Sequence, residues 1–482
     1  MEEHGTSPIL YEADDHSIAL MDIPTSIAKG QDIFSHPIRK RLLSSEPLPR
    51  PFPSQVAGSP AKRRKLTGNT SDPDVHRELW PRIEKAVHEV RKTHSGDWCL
   101  PRAIASKKRR ASSKGDEDSL TEPDHTYWST LSGGKAEKTT LFSASSEYSF
   151  VLRPLIEPSE EAQPQSYEQI IANPSSKPSL LLLPVADDKS ELLKSYFSLN
   201  PTLPPTPFFV PPKSVALLST IPNRPLLSHA TRNHLSPSPR SGQRNFDFIL
   251  LDPPWPNASA RRAKSYQSQS NNSSKKSRGR GTSHAPPQSN HHIYCLESVT
   301  SIIDDIGLEQ LISPNGYIAV WITNKPTVRS AILDDGGFFH SLGIRWFEEW
   351  VWVKMTVSGD SDTTEDGAWR RPYECLLIGQ VVTGSEDAEK GGQEVRRRTL
   401  LAVPDVHSRK PNLKRLVERW LLNGAGDGEY NAMEIFARNT TAGWWAWGDE
   451  ALRFNWTGWW EGREDGMSGG GDNNGETGRL IP

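Results

Sequence analysis

The stretch Phe246-Asp247-Phe248-Ile249-Leu250-Leu251-Asp252-Pro253-Pro254-Trp255 decides the fold. Its first six residues are apolar except Asp247, the pattern of a strand buried on both faces in a helix-covered sheet. Asp252 falls just past the carboxyl end of that strand, where open α/β sheets bind their ligands. Pro253 and Pro254 stiffen the turn, and Trp255 offers an aromatic face. The residue types suit the handling of a planar aromatic amine. The Asp252 carboxylate and the Pro253 carbonyl can both accept its N–H bonds, which frees the nitrogen lone pair for an electrophile. Trp255 then gives a base something to stack on. The competing reading is a strand-end turn with a buried tryptophan.

Downstream, apolar runs at 317–322, 375–382, 400–403 and 433–437 read as strands, as does the alternating 349–355. Between them, Val299, Ile302, Ile303 and Ile306 fall at helical spacing, and Pro326 opens a short helix. Leu413, Leu416, Val417, Trp420 and Leu421 form an apolar helix stripe with Gly424 as its cap. Strands alternating with helices predict an α/β, Rossmann-like, mostly parallel sheet. Thirteen of the sixteen tryptophans follow residue 240, which places the folded core in the second half.

Upstream, the texture is polar. The 482-residue chain holds 39 prolines and only 35 % apolar residues, with a mean hydropathy of −0.61. That composition predicts a largely disordered N-terminal half. The expected division is 1–140 mostly disordered, with one helix over 76–90; 141–240 a small accessory region; 241–460 the catalytic domain; and 461–482 a disordered tail. A basic insertion at 261–290 carries seven Lys or Arg residues and no acid. The net charge of −2 excludes a uniformly basic coat protein. No apolar run approaches the ~20 residues that cross a bilayer, and no membrane partner is expected. The acidic start Met1-Glu2-Glu3 has no apolar signal core, so the chain reads as intracellular. Cys99, Cys295 and Cys375 are too few for a disulfide framework or zinc cluster. His291-His292 lacks partner ligands, so no metal is expected.

Seven segments in order resemble one family, over about 246–456. They are Asp252-Pro253-Pro254-Trp255 with Asn257 and Ser259; Trp321-Ile322-Thr323-Asn324; Glu349-Trp350-Val351-Trp352-Val353-Lys354; Arg371-Pro372-Tyr373-Glu374; Ser408-Arg409-Lys410-Pro411; Glu434-Ile435-Phe436-Ala437-Arg438-Asn439; and Trp447-Gly448-Asp449-Glu450. The chain resembles the adenine-N6 methyltransferases related to the mRNA adenosine methyltransferase catalytic subunit, most closely the methyltransferase-like-four branch. The resemblance implies S-adenosyl-L-methionine as methyl donor and a permuted sheet whose catalytic strand precedes its cofactor strand. It accounts for the missing Gly-rich loop after the first strand. By the same resemblance Asp252, Pro253, Pro254 and Trp255 are catalytic, and Arg438, Asn439, Asp449 and Glu450 hold the cofactor. Asn257, Trp321, Asn324, Glu349 and Lys354 would face the substrate adenine. For Arg438, Trp321 and Glu349 the competing readings are a solvated charge, a core side chain and a surface acid. The expected substrate is nucleic acid, RNA (small nuclear RNA or mRNA) before DNA. The alternative of another class is a catalytically silent nucleic-acid-binding partner. The basic clusters 62–65 and 107–110 read as nuclear import signals or polyanion contacts, which points to the nucleus, with the cytoplasm as alternative. The oligomeric state stays open, a monomer included.

Overall fold

One sheet gathers strands from almost the whole length of the chain. They are β1 (Ile9–Glu12), β2 (Ile18–Met21), β3 (Ile170–Asn173), β4 (Ser214–Leu217), β5 (Phe246–Leu251), β6 (Ile312–Ile322), β7 (Ile344–Lys354), β8 (Tyr373–Val381), β9 (Arg396–Ala402), β10 (Ala432–Ile435) and β11 (Trp444–Trp447). Their order is β1-β2-β9-β7-β8-β6-β5-β10-β11-β4-β3. In this computed structural model the described residues are 7–32, 40–52, 73–105, 150–154, 165–167, 170–182, 207–256, 296–363, 371–382, 394–406 and 409–462. The sheet is mixed: β5 runs parallel to both its neighbours, β6 and β10, whereas β8 is antiparallel to β6 and β7. The expected permutation is present, since β5 lies beside the much later β10 with Leu250 opposite Glu434.

Alternation along the strands builds two cores. One face carries Phe248, Leu250, Trp321, Trp350, Trp352, Leu376 and Leu400. The other carries Ile249, Leu251, Val320, Ile322, Val351, Val353, Cys375 and Leu377. The tryptophan-rich face packs on Trp444, Phe454 and Trp459. A fully buried Trp removes ~150–250 Å² from water, at roughly 25 cal/mol per Å². The apolar stripe Leu413, Leu416, Val417, Trp420 and Leu421 is buried as its spacing predicts. Its second half, Val417–Leu421, widens into a π-helix, and Gly424 follows with φ of 81°.

The N-terminal boundary differs from the compositional expectation. Within 1–140, β2 pairs in parallel with β9 and extends the main sheet. Helix α1 (Ile23–Gly30) follows directly, capped by the Asp22 carboxylate, which accepts from the Thr25 N–H at 3.0 Å. The predicted 76–90 helix is α2 (Pro73–Thr93), with Leu79, Ile83, Ala86 and Val90 buried against the second face. Strands β3 and β4, from the expected accessory region, also join the main sheet. The physical reason is dilution: the short apolar runs at 18–30 and 214–218 disappear in a composition averaged over a hundred polar residues. The basic insertion 261–290, the clusters 62–65 and 107–110, the pair His291-His292 and the tail after 462 lie outside the described residues.

Candidate active site

Face parity carries Asp252 onto the tryptophan-rich side. Leu250 and Asp252 share one face of β5, and the Asp252 N–H continues the ladder to Ile435 O (3.2 Å). Four more elements converge there. Lys410, from the loop after β9, places Nζ 3.5 Å from Asp252 Oδ1 and 2.5 Å from Glu374 Oε2 at the start of β8. Lys354 holds the other Glu374 oxygen at 2.5 Å. Arg438 donates through Nη2 to Asp252 Oδ2 at 3.3 Å. Glu434 projects from β10 beside Leu250. The resulting cleft encloses about 420 Å³, open to solvent, and is lined by Asp252, Lys410, Asn412, Glu434, Arg438 and Asn439 among others. The Lys410 ammonium also lies 4.8 Å from the Trp321 ring, a cation–π contact.

The chain reaches Arg438 through a forced bend. Phe436, one residue past β10, has φ of 63°, a left-handed conformation rare for a bulky residue and costing on the order of 1–3 kcal/mol. The bend is held by the Ala437 N–H donating to Trp447 O at 3.1 Å, and it returns Arg438 toward Asp252. Such strain concentrates where function requires it.

The charges are uneven. Burial alone would lower Lys410, but the Asp252 and Glu374 carboxylates outweigh it and hold its pKa above the ordinary lysine value. Burial likewise works against the Glu374 carboxylate, yet Lys354 and Lys410 keep it well below the usual range. Glu434 differs: burial, then the Asp252 charge, push it up to about 8, with Arg438 compensating only in part. Burial and the Asp252 charge thus favour the neutral form of this carboxyl within the cleft.

The expected site residues divide. Asp252, Arg438 and Asn439 share the cleft, and Lys354 is linked to it through Glu374, whereas Trp321 is a buried core side chain behind Lys410. Pro253 O accepts the Trp255 N–H at 2.8 Å, leaving one carbonyl lone pair open. Trp255 is not a free stacking platform: it is 4 % exposed, and its indole donates to Trp321 O at 2.5 Å. Asn324 donates to Tyr373 O at 2.5 Å and lines a second, smaller cleft of about 270 Å³ with Arg329 and Cys375. Glu349 is fully buried on the opposite face, its oxygens held by Arg329 (2.7 and 3.2 Å) and Arg397 (3.0 Å). It is not a surface acid, and the structure does not bring it to Asp252. Glu450 pairs with Arg453 at 3.0 Å, while burial and the Glu450 charge push Asp449 up to about 6. Asn257 lies outside the described residues.

Sequence reasoning named the segments containing Lys410, Glu374 and Glu434 but gave none of the three a role. For Glu434 a signal was present: it is an acid at an inward position of an otherwise apolar strand. Among the described residues no group of His, Cys, Asp or Glu is arranged to hold a metal ion. Nor is any helix among them long and apolar enough to cross a membrane.

Comparisons with known proteins match the part of the chain that holds this cleft. Residues 246–450 match the MT-A70 family. The N6-methyladenosine RNA methyltransferase MTA1 of Cryphonectria parasitica is 38 % identical over 216 residues, 45 % of this chain and 54 % of the relative. Its namesake in Pyricularia oryzae is 33 % identical over 259 residues, 52 % and 56 % of the two chains. The human N(6)-adenine-specific methyltransferase METTL4 is 28 % identical over 307 residues, 61 % and 52 %. The chain thus spans about half the length of the curated relatives it matches. Strand β5, the Asp252 turn, the Lys410 loop and the β10 strand with Arg438 all lie inside the matched region, and the chain carries an MT-A70 family domain over residues 246–450.

Proposed function

We propose that this protein is an S-adenosyl-L-methionine-dependent methyltransferase acting on N6 of adenine in nucleic acid, with RNA as substrate. The observation that carries the reading is the Asp252–Pro253 turn at the end of β5. It sets a carboxylate whose ion pairs are long, 3.3 and 3.5 Å, in the lining of an open cleft, with the Pro253 carbonyl in the same turn.

Two acceptors facing one amino group draw both of its N–H bonds out of conjugation with the ring. Asp252 is the stronger acceptor, because a hydrogen bond to a carboxylate is charge-assisted. Lys410 stays protonated and, anchored by Glu374, presents its charge beside Asp252 against the Trp321 ring. With Lys410 held by Glu374, an array of this kind needs little reorganisation during reaction. The cofactor when bound supplies an electrophilic methyl group on a sulfonium. Asp252 and Glu434 offer carboxylates to its cationic portion, and Arg438 and Asn439, with Asp449 and Glu450 nearby in sequence order, suit its ribose and polar groups. A carboxylate is apt for a ribose because it accepts two hydroxyl hydrogen bonds. The basic insertion 261–290, tethered right after the motif, supplies phosphate contacts, and the clusters at 62–65 and 107–110 supply a nuclear address.

Purified protein should bind radiolabelled S-adenosyl-L-methionine and convert adenosine to N6-methyladenosine in RNA oligonucleotides, read by mass spectrometry of nucleosides. Methylation confined to DNA oligonucleotides would move the substrate class. An absence of cofactor binding would instead identify a silent partner.

A further inference from the structure

The wall of the cleft opposite Asp252 is built on the N-terminal helix. α1 lies far outside the 246–450 region, yet it meets the Lys410 loop. The Asn412 N–H donates to Ser26 Oγ at 3.0 Å, and Ser26 Oγ donates in turn to Ile23 O at 2.7 Å. Ala442 N–H donates to Gly30 O at 2.7 Å. Gln31, fully buried, donates through Nε2 to Phe454 O at 3.1 Å. Asn412, Asn439 and Phe454 all line the cleft. From Asn412 a side-chain chain leads to the expected cofactor residue: Asn412 Nδ2 donates to Thr441 Oγ1 at 2.8 Å, and Asn439 Nδ2 donates to the same oxygen at 3.3 Å.

Gly30 makes this contact sensitive to a single methyl group. A Cβ built there would stand 2.6 Å from Asn412 Cγ and 2.9 Å from Oδ1, distances at which the carboxamide must move. Gly30 does not have positive φ, so its backbone does not require glycine. The space does.

We propose that α1 is a positioning element of the cofactor site, with Ser26 and Gly30 acting through Asn412 and Thr441 to set Asn439. The ligand concerned is an adenosine-bearing cofactor, so the inference rests on the proposed function. Its test is a double-mutant cycle in the full chain. Gly30→Ala should raise the Kd for S-adenosyl-L-methionine about tenfold by calorimetry, the scale of one well-placed hydrogen bond lost. Its melting temperature should not fall, because alanine favours helix over glycine and only the end of one side chain shifts. The cofactor KM should rise in step, with kcat and the RNA KM near wild type; simple destabilisation would lower the active fraction and hence kcat. In an Asn412→Ala background, which clears the space, Gly30→Ala should have no further effect. Ser26→Ala, which removes only the acceptor for the Asn412 N–H, should raise the Kd about threefold and covers the case in which Gly30→Ala does not fold. An unchanged Kd in both α1 variants, or an equal loss with and without Asn412, would overturn the inference. Failure of the wild-type chain to bind the cofactor would instead strike the proposed function.

Discussion

Asp252 and Glu349 are both acids between two cations, with two strands, β6 and β8, between theirs in one sheet, and they are built for opposite tasks. Glu349 is sealed: it is fully buried, and guanidinium donors at 2.7–3.2 Å engage both of its oxygens. Asp252 is loose: its side chain is 14 % exposed, its partners stand at 3.3 and 3.5 Å, and Lys410 is bound more tightly to Glu374. A charge-assisted hydrogen bond between well-seated partners is ~2.7–2.9 Å long. The difference teaches that an acid's availability is set by how completely its lone pairs are already taken. Being charged, or lying near a strand end, does not settle it.

The sharpest way to break the comparison is to truncate both. Glu349→Ala should destabilise the fold by about 3 kcal/mol, because it takes the buried acid from Arg329 and leaves Arg397 with Glu78 alone; urea unfolding measures this. Burial works against the Glu349 carboxylate, but the two arginines outweigh it and depress its pKa. The wild-type advantage is therefore present above the unfolded value of 4.5 and is lost as pH falls through the lower folded value. Asp252→Ala should do the reverse, cutting methyl transfer at least ~10²-fold while the unfolding midpoint barely moves. If Asp252→Ala keeps more than half the activity, the contrast between the two acids collapses.

Arg438→Ala tests the loose pair from its other side. Calorimetry should show cofactor binding weakened by ~1.5–3 kcal/mol, as for a hydrogen bond involving a charged group, with RNA affinity nearly unchanged. Equal cofactor affinity in the variant would remove Arg438 from the site.

Glu434 gives a subtler reading through protons. Its pKa is raised from 4.5 to about 8, so the stability linked to its protonation is complete below pH 4.5 and fades as pH rises through 8. Binding of a positively charged cofactor at pH 7 should therefore release a fraction of a proton, seen as a buffer-dependent binding enthalpy. In Glu434→Gln the release should vanish, and the fall in stability between pH 4.5 and 8 should become shallower. Smallest of all is the effect of deleting residues 265–290. The slope of log K against log salt for RNA should become shallower by up to roughly 0.7 per lost phosphate contact, with cofactor affinity intact.

Much of the site was legible in order along the chain. The apolar run of β5 and the residues after it carried their own placement, as did the β10 strand with Arg438 and Asn439. Trp255 was misjudged because stacking and packing draw on the same aromatic face, and only its neighbours show which use prevails. Lys410 and Glu374 were present in the recognised segments, but a lone lysine in a loop has no address until the loop is docked. The role of α1 had no signal in its own residues, since Ser26 and Gly30 are ordinary helix residues apart from what they touch.

By itself the sequence determined whatever depends on neighbours in the chain: the buried strand, the proline-stiffened turn beyond it, the helix stripes and their caps. These follow from local sterics and from the period of burial, which a few consecutive residues express. The tertiary structure alone decided which acid stands open and which is sealed, which lysine joins Asp252, and that an N-terminal helix packs behind Asn412 in a cleft lined by the C-terminal half. Strand alternation chooses a face, but strand order chooses the neighbours on that face. Here that order sets β5 against β10 and β2 against β9, pairings between segments that share no local signal.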